Sequence, residues 1–164
     1  FSDSGLNAEE TYYYSIAAKN SIAEGYTSEQ VNTPLMYLPV PAKIEAEKFT
    51  GMSGIQTENT GDTGGGLNVG HFESGDYIEF KIKAASAGNY TIDYRLASQT
   101  GSTGFDALID GVVVDTQTLA ATGGWQTYIT KTSVSFALTE GNHTLRLRSI
   151  GKEWNINWIE IKKQ

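Results

Sequence analysis

Two glutamates, Glu45 and Glu47, stand two residues apart in "KIEAEKF". Residues two apart in a strand share a face, so both carboxylates would lie side by side. Like charges held that close repel unless a cation joins them. The pattern fits a solvent-facing polar edge, a hard cation held by oxygens, or a catalytic carboxylate pair. Near the other end of the chain, "KEWNINWIEI" places Asn155 and Asn157 in line with Ile159 and Ile161 by the same period of two. An amide on a face that otherwise turns aliphatic favours the cation, because calcium takes roughly 6–8 oxygens from carboxylates, amides and carbonyls. A third residue of interest is Trp125 in "ATGGWQTY". An indole after two glycines either folds back on a core or stands on a rim, where the C–H face of a pyranose can stack on it.

The elements that must position these residues read as strands. "DYIEFKIKA", "GNYTIDYRLAS", "FDALIDG", "VVVDTQTL", "WQTYITKTSVSFAL", "GNHTLRLRSI" and "NINWIEIKK" follow "KIEAEKF" at short intervals, separated by turn signals such as "SAGNY", "TGGW" and "TEGNH". No stretch carries a long 3.6-residue period. Many short strands at this spacing predict an all-β sandwich or barrel. Asp110-Gly111 is the best hairpin signal, since both residues tolerate positive φ. If the first and last strands of the sandwich lie side by side, Asn157 comes to Glu45 and Glu47.

All three prolines fall in "TPLMYLPVPAK", which reads as an extended linker over residues 35–42. Residues 1–34, with the alternating "TYYYSIAAKN", form one unit and residues 43–164 another. Phe1 begins inside what reads as a domain, so no signal peptide is visible.

The 164 residues carry 12 Lys+Arg against 19 Asp+Glu, a net charge of −7. That balance argues against nucleic acid or an anionic membrane surface as partner. The absence of cysteine excludes disulfides and thiol chemistry. No apolar run approaches a membrane span. The run Gly64-Gly65-Gly66 lacks the lysine of a phosphate loop, and no hydrolase or zinc-protease motif occurs. His143 sits in an ordinary turn, whereas His71 stands either in a structural position or beside a cleft.

In order along the chain, "IEAEKFTGMSGIQTENTGDTGGGLNVGHFESGDYIEF", "YRLASQTG", "ATGGWQTY" and "NINWIEI" closely resemble the family 6 carbohydrate-binding modules. The resemblance runs from Ile44 to Lys162 and implies a jelly-roll β-sandwich. Residues 1–34 are similar to the last third of a fibronectin type III domain, short of the roughly 90–100 residues of a whole sandwich of that kind. By the family resemblance, structural calcium would be held by Glu45, Glu47, the backbone carbonyl of Leu67 and Asn157. Sugar would be bound by Trp125, Asn155 and Glu58 in a loop-rim cleft. His71 stands where the family usually has a second aromatic. Tyr77 matches the aromatic of a second, concave-face site found in some members.

The expectation is therefore a non-catalytic module. It would target a secreted bacterial polysaccharide-degrading enzyme, its catalytic domain in cis, to a neutral plant or algal glycan such as β-glucan, xylan or agarose. The module would act as a monomer, secreted or at the cell surface. The alternatives are a small glycoside hydrolase using Glu45 with Glu47 or Glu58, and a cell-surface adhesive module.

Overall fold

The computed structural model describes residues 37–164 in full and, within residues 1–36, the backbone of four short strands. These are β1 (Tyr12–Tyr14), β2 (Ala17–Lys19), β3 (Glu24–Thr27) and β4 (Val31–Thr33). β1 pairs with β4 and β2 with β3, both antiparallel. The fibronectin type III reading of residues 1–34 falls mostly outside the described residues. The chain divides into two compact units, Phe1–Met36 and Tyr37–Gln164.

The second unit contains β5 (Leu38–Val40), β6 (Ala42–Glu45), β7 (Gly51–Ser53), β8 (Gln56–Asn59), β9 (Leu67–Gly70), β10 (Tyr77–Ala84) and β11 (Gly88–Ser98). It continues with β12 (Ser102–Ile109), β13 (Val112–Leu119), β14 (Gly124–Thr132), β15 (Phe136–Leu138), β16 (Gly141–Ser149) and β17 (Asn155–Lys163). One sheet has the order β13-β12-β16-β10-β5, with β7 also on β10. The other has the order β14-β11-β17-β9-β8, with β15 on β11 and β6 on β17. Together they form a β-sandwich, one of the two architectures that the strand spacing predicts, and of the jelly-roll kind that the family resemblance implies.

Alternation drives this packing. Ile78, Phe80 and Ile82 of β10 and Leu145 and Leu147 of β16 are fully buried, while the residues between them are not. They meet Ile92, Tyr94 and Leu96 of β11 and Ile156, Ile159 and Ile161 of β17 in one core cluster. Facing sheets with alternating inward residues interdigitate in this way. Trp154 is clamped between Phe72, stacked at 3.9 Å and 9°, and Phe105 at 4.7 Å. The Asp110-Gly111 hairpin forms as predicted, both residues at positive φ and Ile109 paired with Val112.

Three local features differ from the sequence reading. The proline segment is not simply a linker: β5 pairs in parallel with β10, and β6 pairs with β17, so residues 38–42 join the sandwich. Pro39 fits there because β5 is an edge strand, where a missing N–H costs least. "WQTYITKTSVSFAL" is two strands, β14 and β15, both on β11.

The third difference lies in β17 and moves the site residues. Trp158 pairs with Arg95, but Ile156 pairs with Leu96, so β17 carries an extra residue there. The bulge reverses the facing of everything before it. Ile156 is core although it lies three residues from Ile159, and Asn155 and Asn157 are on the opposite, outer face. They are not in line with Ile159 and Ile161. The bulge sits where the neighbour of β17 changes. β6 flanks Trp158–Ile161, and β9 takes over at Ile156 through Val69.

Candidate functional site

The outer face of the β14-β11-β17-β9-β8 sheet is strongly curled at the end that carries the bulge. β14 and β8 are opposite ends of the strand order, yet Gln126 Nε2 donates to Glu58 Oε1 at 3.0 Å. A cleft of ≈ 430 Å³ opens at this rim, and its wall includes Trp125, Gln126, His71, Glu58 and Asn155. Four of the expected sugar-site residues, Glu58, His71, Trp125 and Asn155, are thus brought together.

Each is positioned by a different strand or its end. Glu58 lies on β8 directly opposite Asn68 on β9. Its Oε1 accepts from Asn68 Nδ2 at 3.1 Å, Gln126 Nε2 at 3.0 Å and Asn155 Nδ2 at 3.0 Å. Asn155 Nδ2 also donates to the carbonyl of Trp125 at 3.0 Å, tying the tryptophan loop to β17. The amide packs against Gly70, where an added Cβ would lie 2.3 Å from Asn155 Oδ1. A side chain at Gly70 would therefore expel the amide. Trp125 is 38% exposed, a large apolar surface left in water. His71 follows β9 with φ 62, exposed beside the cleft. Glu153, at φ 72, lines the cleft as well. Left-handed residues other than glycine carry strain and collect at ligand sites. Glu58, Glu73 and Glu153 against Lys152 make the wall rich in acceptors.

Tyr77 is elsewhere, on β10 of the other sheet. The guanidinium of Arg146 lies 4.3 Å from its ring centroid and donates from Nε and Nη2 to Glu79 Oε2. One face of the Tyr77 ring is thus taken by the protein's own cation.

The expected cation residues lie apart from the cleft, at the handover in β17. Glu45 ends β6 opposite Trp158, as the pairing of first and last strands requires. "IEAE" does not continue as a strand, however: Ala46–Lys48 is a 3-10 turn, because β17 has no further pairing for β6 beyond Trp158. Glu45 and Glu47 are therefore not neighbours on one strand face, and Glu45 pairs instead with Lys43 at 2.9 Å. The turn packs on β9 and β17. Antiparallel pairing of Val69 with Ile156 carries Leu67 toward Trp158. Two oxygens here are buried without a hydrogen-bond partner, Glu47 Oε2 and Asn157 Oδ1. Orphaned buried oxygens of this kind fit a hard cation. Among the described residues no three His, Cys, Asp or Glu side chains form a metal cluster, so amide and backbone oxygens would have to complete the set.

Sequence reasoning missed Gln126, Asn68, Asp62 and Arg95. Asp62, in the loop before the glycine run, accepts from Arg95 Nε at 2.8 Å and Nη2 at 2.7 Å, and from Asn157 Nδ2 at 3.0 Å. The Arg95 hydrogen bonds hold its carboxyl down at about 2, against the opposing effect of burial and with help from Asn157. The one available signal was Arg95, the only cation of its strand, which asks for an anion but does not say which, since Asp93 lies two residues away on the same strand. Gly64, Gly65 and Gly66 all take positive φ (103, 66 and 94), which explains a run of three glycines.

Residues 45–163 match the model of carbohydrate-binding module family 6. The chain belongs to that family. It is 39% identical to the family 6 module of Cellvibrio mixtus lichenase 5A, solved with cellotriose, with a TM-score of 0.68 over 76% of this chain and 98% of that one. It is 37% identical over 123 residues to the clotting factor G alpha subunit of Tachypleus tridentatus, covering 73% of this chain and 18% of that protein. It is 33% identical over 143 residues to the beta-agarase AgaA of Microbulbifer thermotolerans, covering 77% of this chain and 32% of that protein. The chain thus spans less than a third of these two curated relatives. As a family 6 member it is a non-catalytic carbohydrate-binding module, and the hydrolase reading is set aside. Glu45 and Glu47 do not line the cleft that contains Glu58.

Proposed function

We propose that this family 6 module binds a neutral β-linked glucan or an agarose-type galactan in the cleft beside Trp125. The observation that carries the reading is an exposed indole on the rim of a cleft whose opposite wall presents Glu58, with Oε1 already occupied by three amides. A pyranose would stack its C–H face on Trp125. Its hydroxyls would donate to Glu58 Oε2, to Asn155 Oδ1 and to the carboxylates around them. Glu73 and Glu153 disfavour uronate or sulfate groups by like charge. The cellotriose bound by the lichenase module and the agarase to which the Microbulbifer relative belongs support these two glycan classes, while a family 6 module of Clostridium cellulolyticum, 31% identical, was solved with xylose, so xylohexaose belongs in the test.

The module would bring a catalytic domain in the same chain to its polysaccharide, raising local concentration by linkage. It would act as a monomer, secreted or at a bacterial surface. Among the described residues no helix is long and apolar enough to cross a membrane. Calcium would be held by Glu47, Asn157, the Leu67 carbonyl and, once released from Lys43, Glu45. When bound, the ion would supply the positive charge that the lone pairs of Glu47 Oε2 and Asn157 Oδ1 otherwise lack.

Titration calorimetry with laminarihexaose, cellohexaose, neoagarohexaose and xylohexaose tests the reading. Binding of a glucan or agarose oligosaccharide, lost in Trp125→Ala, is the expected result. Binding that survives Trp125→Ala unchanged overturns the assignment of the cleft.

A further inference from the structure

The loop over residues 60–66 is held at two adjacent residues by two different parts of the molecule. On one side Asp62, its side chain only 7% exposed, binds Arg95 and Asn157. On the other side the Gly61 N–H donates to Gln126 Oε1 at 2.7 Å. Gln126 follows Trp125 in the chain and uses both ends of its amide. Nε2 donates to Glu58 Oε1 at 3.0 Å and Asn68 Oδ1 at 3.2 Å, while Oε1 also accepts from Tyr128 Oη at 3.2 Å. One peptide unit therefore separates a contact to the cation residue Asn157 from a contact to the sugar-cleft residues.

The Asn157 amide has one donor end and one acceptor end. The Asp62 carboxylate, which only accepts, takes the donor end, so Oδ1 is left over, buried and unpartnered. Asp62 thus decides which way the amide points. The same contact seats the loop.

Resting on the glycan and cation readings above, we propose that residues 60–62 couple the two sites: a cation on Asn157 and a glycan on the Trp125 rim each bind more tightly when the other is present. A cation on Oδ1 draws electron density from the amide and makes Nδ2 a stronger donor to Asp62. The loop is then held in its seated position, Gly61 stays on Gln126, and Gln126 keeps Glu58 and the Trp125 rim in binding geometry. The glycan acts in reverse, because linkage is reciprocal. Gln126 and Asp62 are positioning residues in this scheme, Gln126 acting through Glu58 and the loop and Asp62 through Asn157.

The test uses whichever of laminarihexaose, cellohexaose, neoagarohexaose and xylohexaose binds, and calcium. Chelation should weaken the oligosaccharide Kd about fivefold or more, within the usual range of coupling factors. Saturating oligosaccharide should tighten the calcium Kd by the same factor. In Gln126→Ala, which cuts the Gly61 contact, the factor by which calcium and sugar tighten each other should fall toward one, whatever the affinity for calcium alone. Urea midpoints give a second measurement that tolerates a less stable calcium-free protein. Stabilisation by calcium and sugar together should exceed the sum of the two separately. Sugar binding that ignores calcium, or strictly additive stabilisation, overturns the coupling alone. Failure to bind calcium overturns the cation reading and the coupling with it. Failure of every oligosaccharide in both states overturns the glycan reading instead.

Discussion

Asn155 and Glu58, separated by 97 positions in the chain, are joined by a hydrogen bond of 3.0 Å from Nδ2 to Oε1. That bond joins the last strand to the β8 edge, and the same Nδ2 holds the carbonyl of Trp125. The amide thus sets the distance between the aromatic and the acidic walls of the cleft.

Trp125→Ala should remove most glycan binding and leave the fold intact. An aromatic anchor of this kind carries about 2 kcal/mol or more, roughly thirtyfold in affinity. The side chain is exposed and outside the core cluster, so little packing is lost. Calorimetry and a thermal melt of the same sample read the two effects.

Gly70→Ala should both destabilise the protein and weaken binding. The new methyl would lie 2.3 Å from Asn155 Oδ1, inside contact distance, and the amide must move. Overpacking of this sort costs about 1–3 kcal/mol. Because Asn155 ties down Glu58 and Trp125, affinity should fall as well. A urea midpoint unchanged from the unmodified protein would contradict the geometry.

Removal of calcium should lower the melting temperature appreciably. An ion that binds only the folded state stabilises it by about 2.7 kcal/mol at a hundredfold excess over its Kd. Asn157→Leu should abolish the response to EDTA, since it removes one of the two orphaned oxygens. Elemental analysis of the purified protein checks occupancy independently.

Acid stability should depend on Asp93 and Asp106. Burial pushes both carboxyls up, but hydrogen bonds outweigh it, from Lys162 and Thr132 to Asp93 and from Arg148 and Thr116 to Asp106. Both end below the ordinary carboxylate value. Groups lowered on folding stabilise above their unfolded pKa, about 3.9 for aspartate, and lose that contribution as pH falls through the folded value. Both cationic partners are almost half exposed, so the contribution is modest. The Asp93→Asn, Asp106→Asn double variant should melt lower than the unmodified protein at pH 6 and lose less between pH 4 and pH 2. Parallel curves across that range would show that the two pairs do not contribute.

Much of the architecture is local and was legible in the chain. The strands β11, β13 and β17 coincide with the alternating stretches "GNYTIDYRLAS", "VVVDTQTL" and "NINWIEIKK", because a period of two is written in neighbouring residues. The Asp110-Gly111 turn is equally local, whereas the local sequence left Trp125 open between a core and a rim position. The grouping of Glu58, His71, Trp125 and Asn155 was legible only through the motifs shared with the family. What the chain could not show depends on which strand lies beside which. Asn157 faces outward because β17 bulges where its neighbour changes from β6 to β9, a change set by residues about ninety to a hundred and fifteen positions away. The 3-10 turn at Ala46–Lys48 follows from the end of that same pairing. Asp62 meets Arg95, and Gln126 meets Glu58, only because the sheet curls and brings its two edges together. Among 19 acidic residues, charge alone selects none of these partners. Local alternation determined the strands, and long-range pairing decided which of their polar side chains became a site.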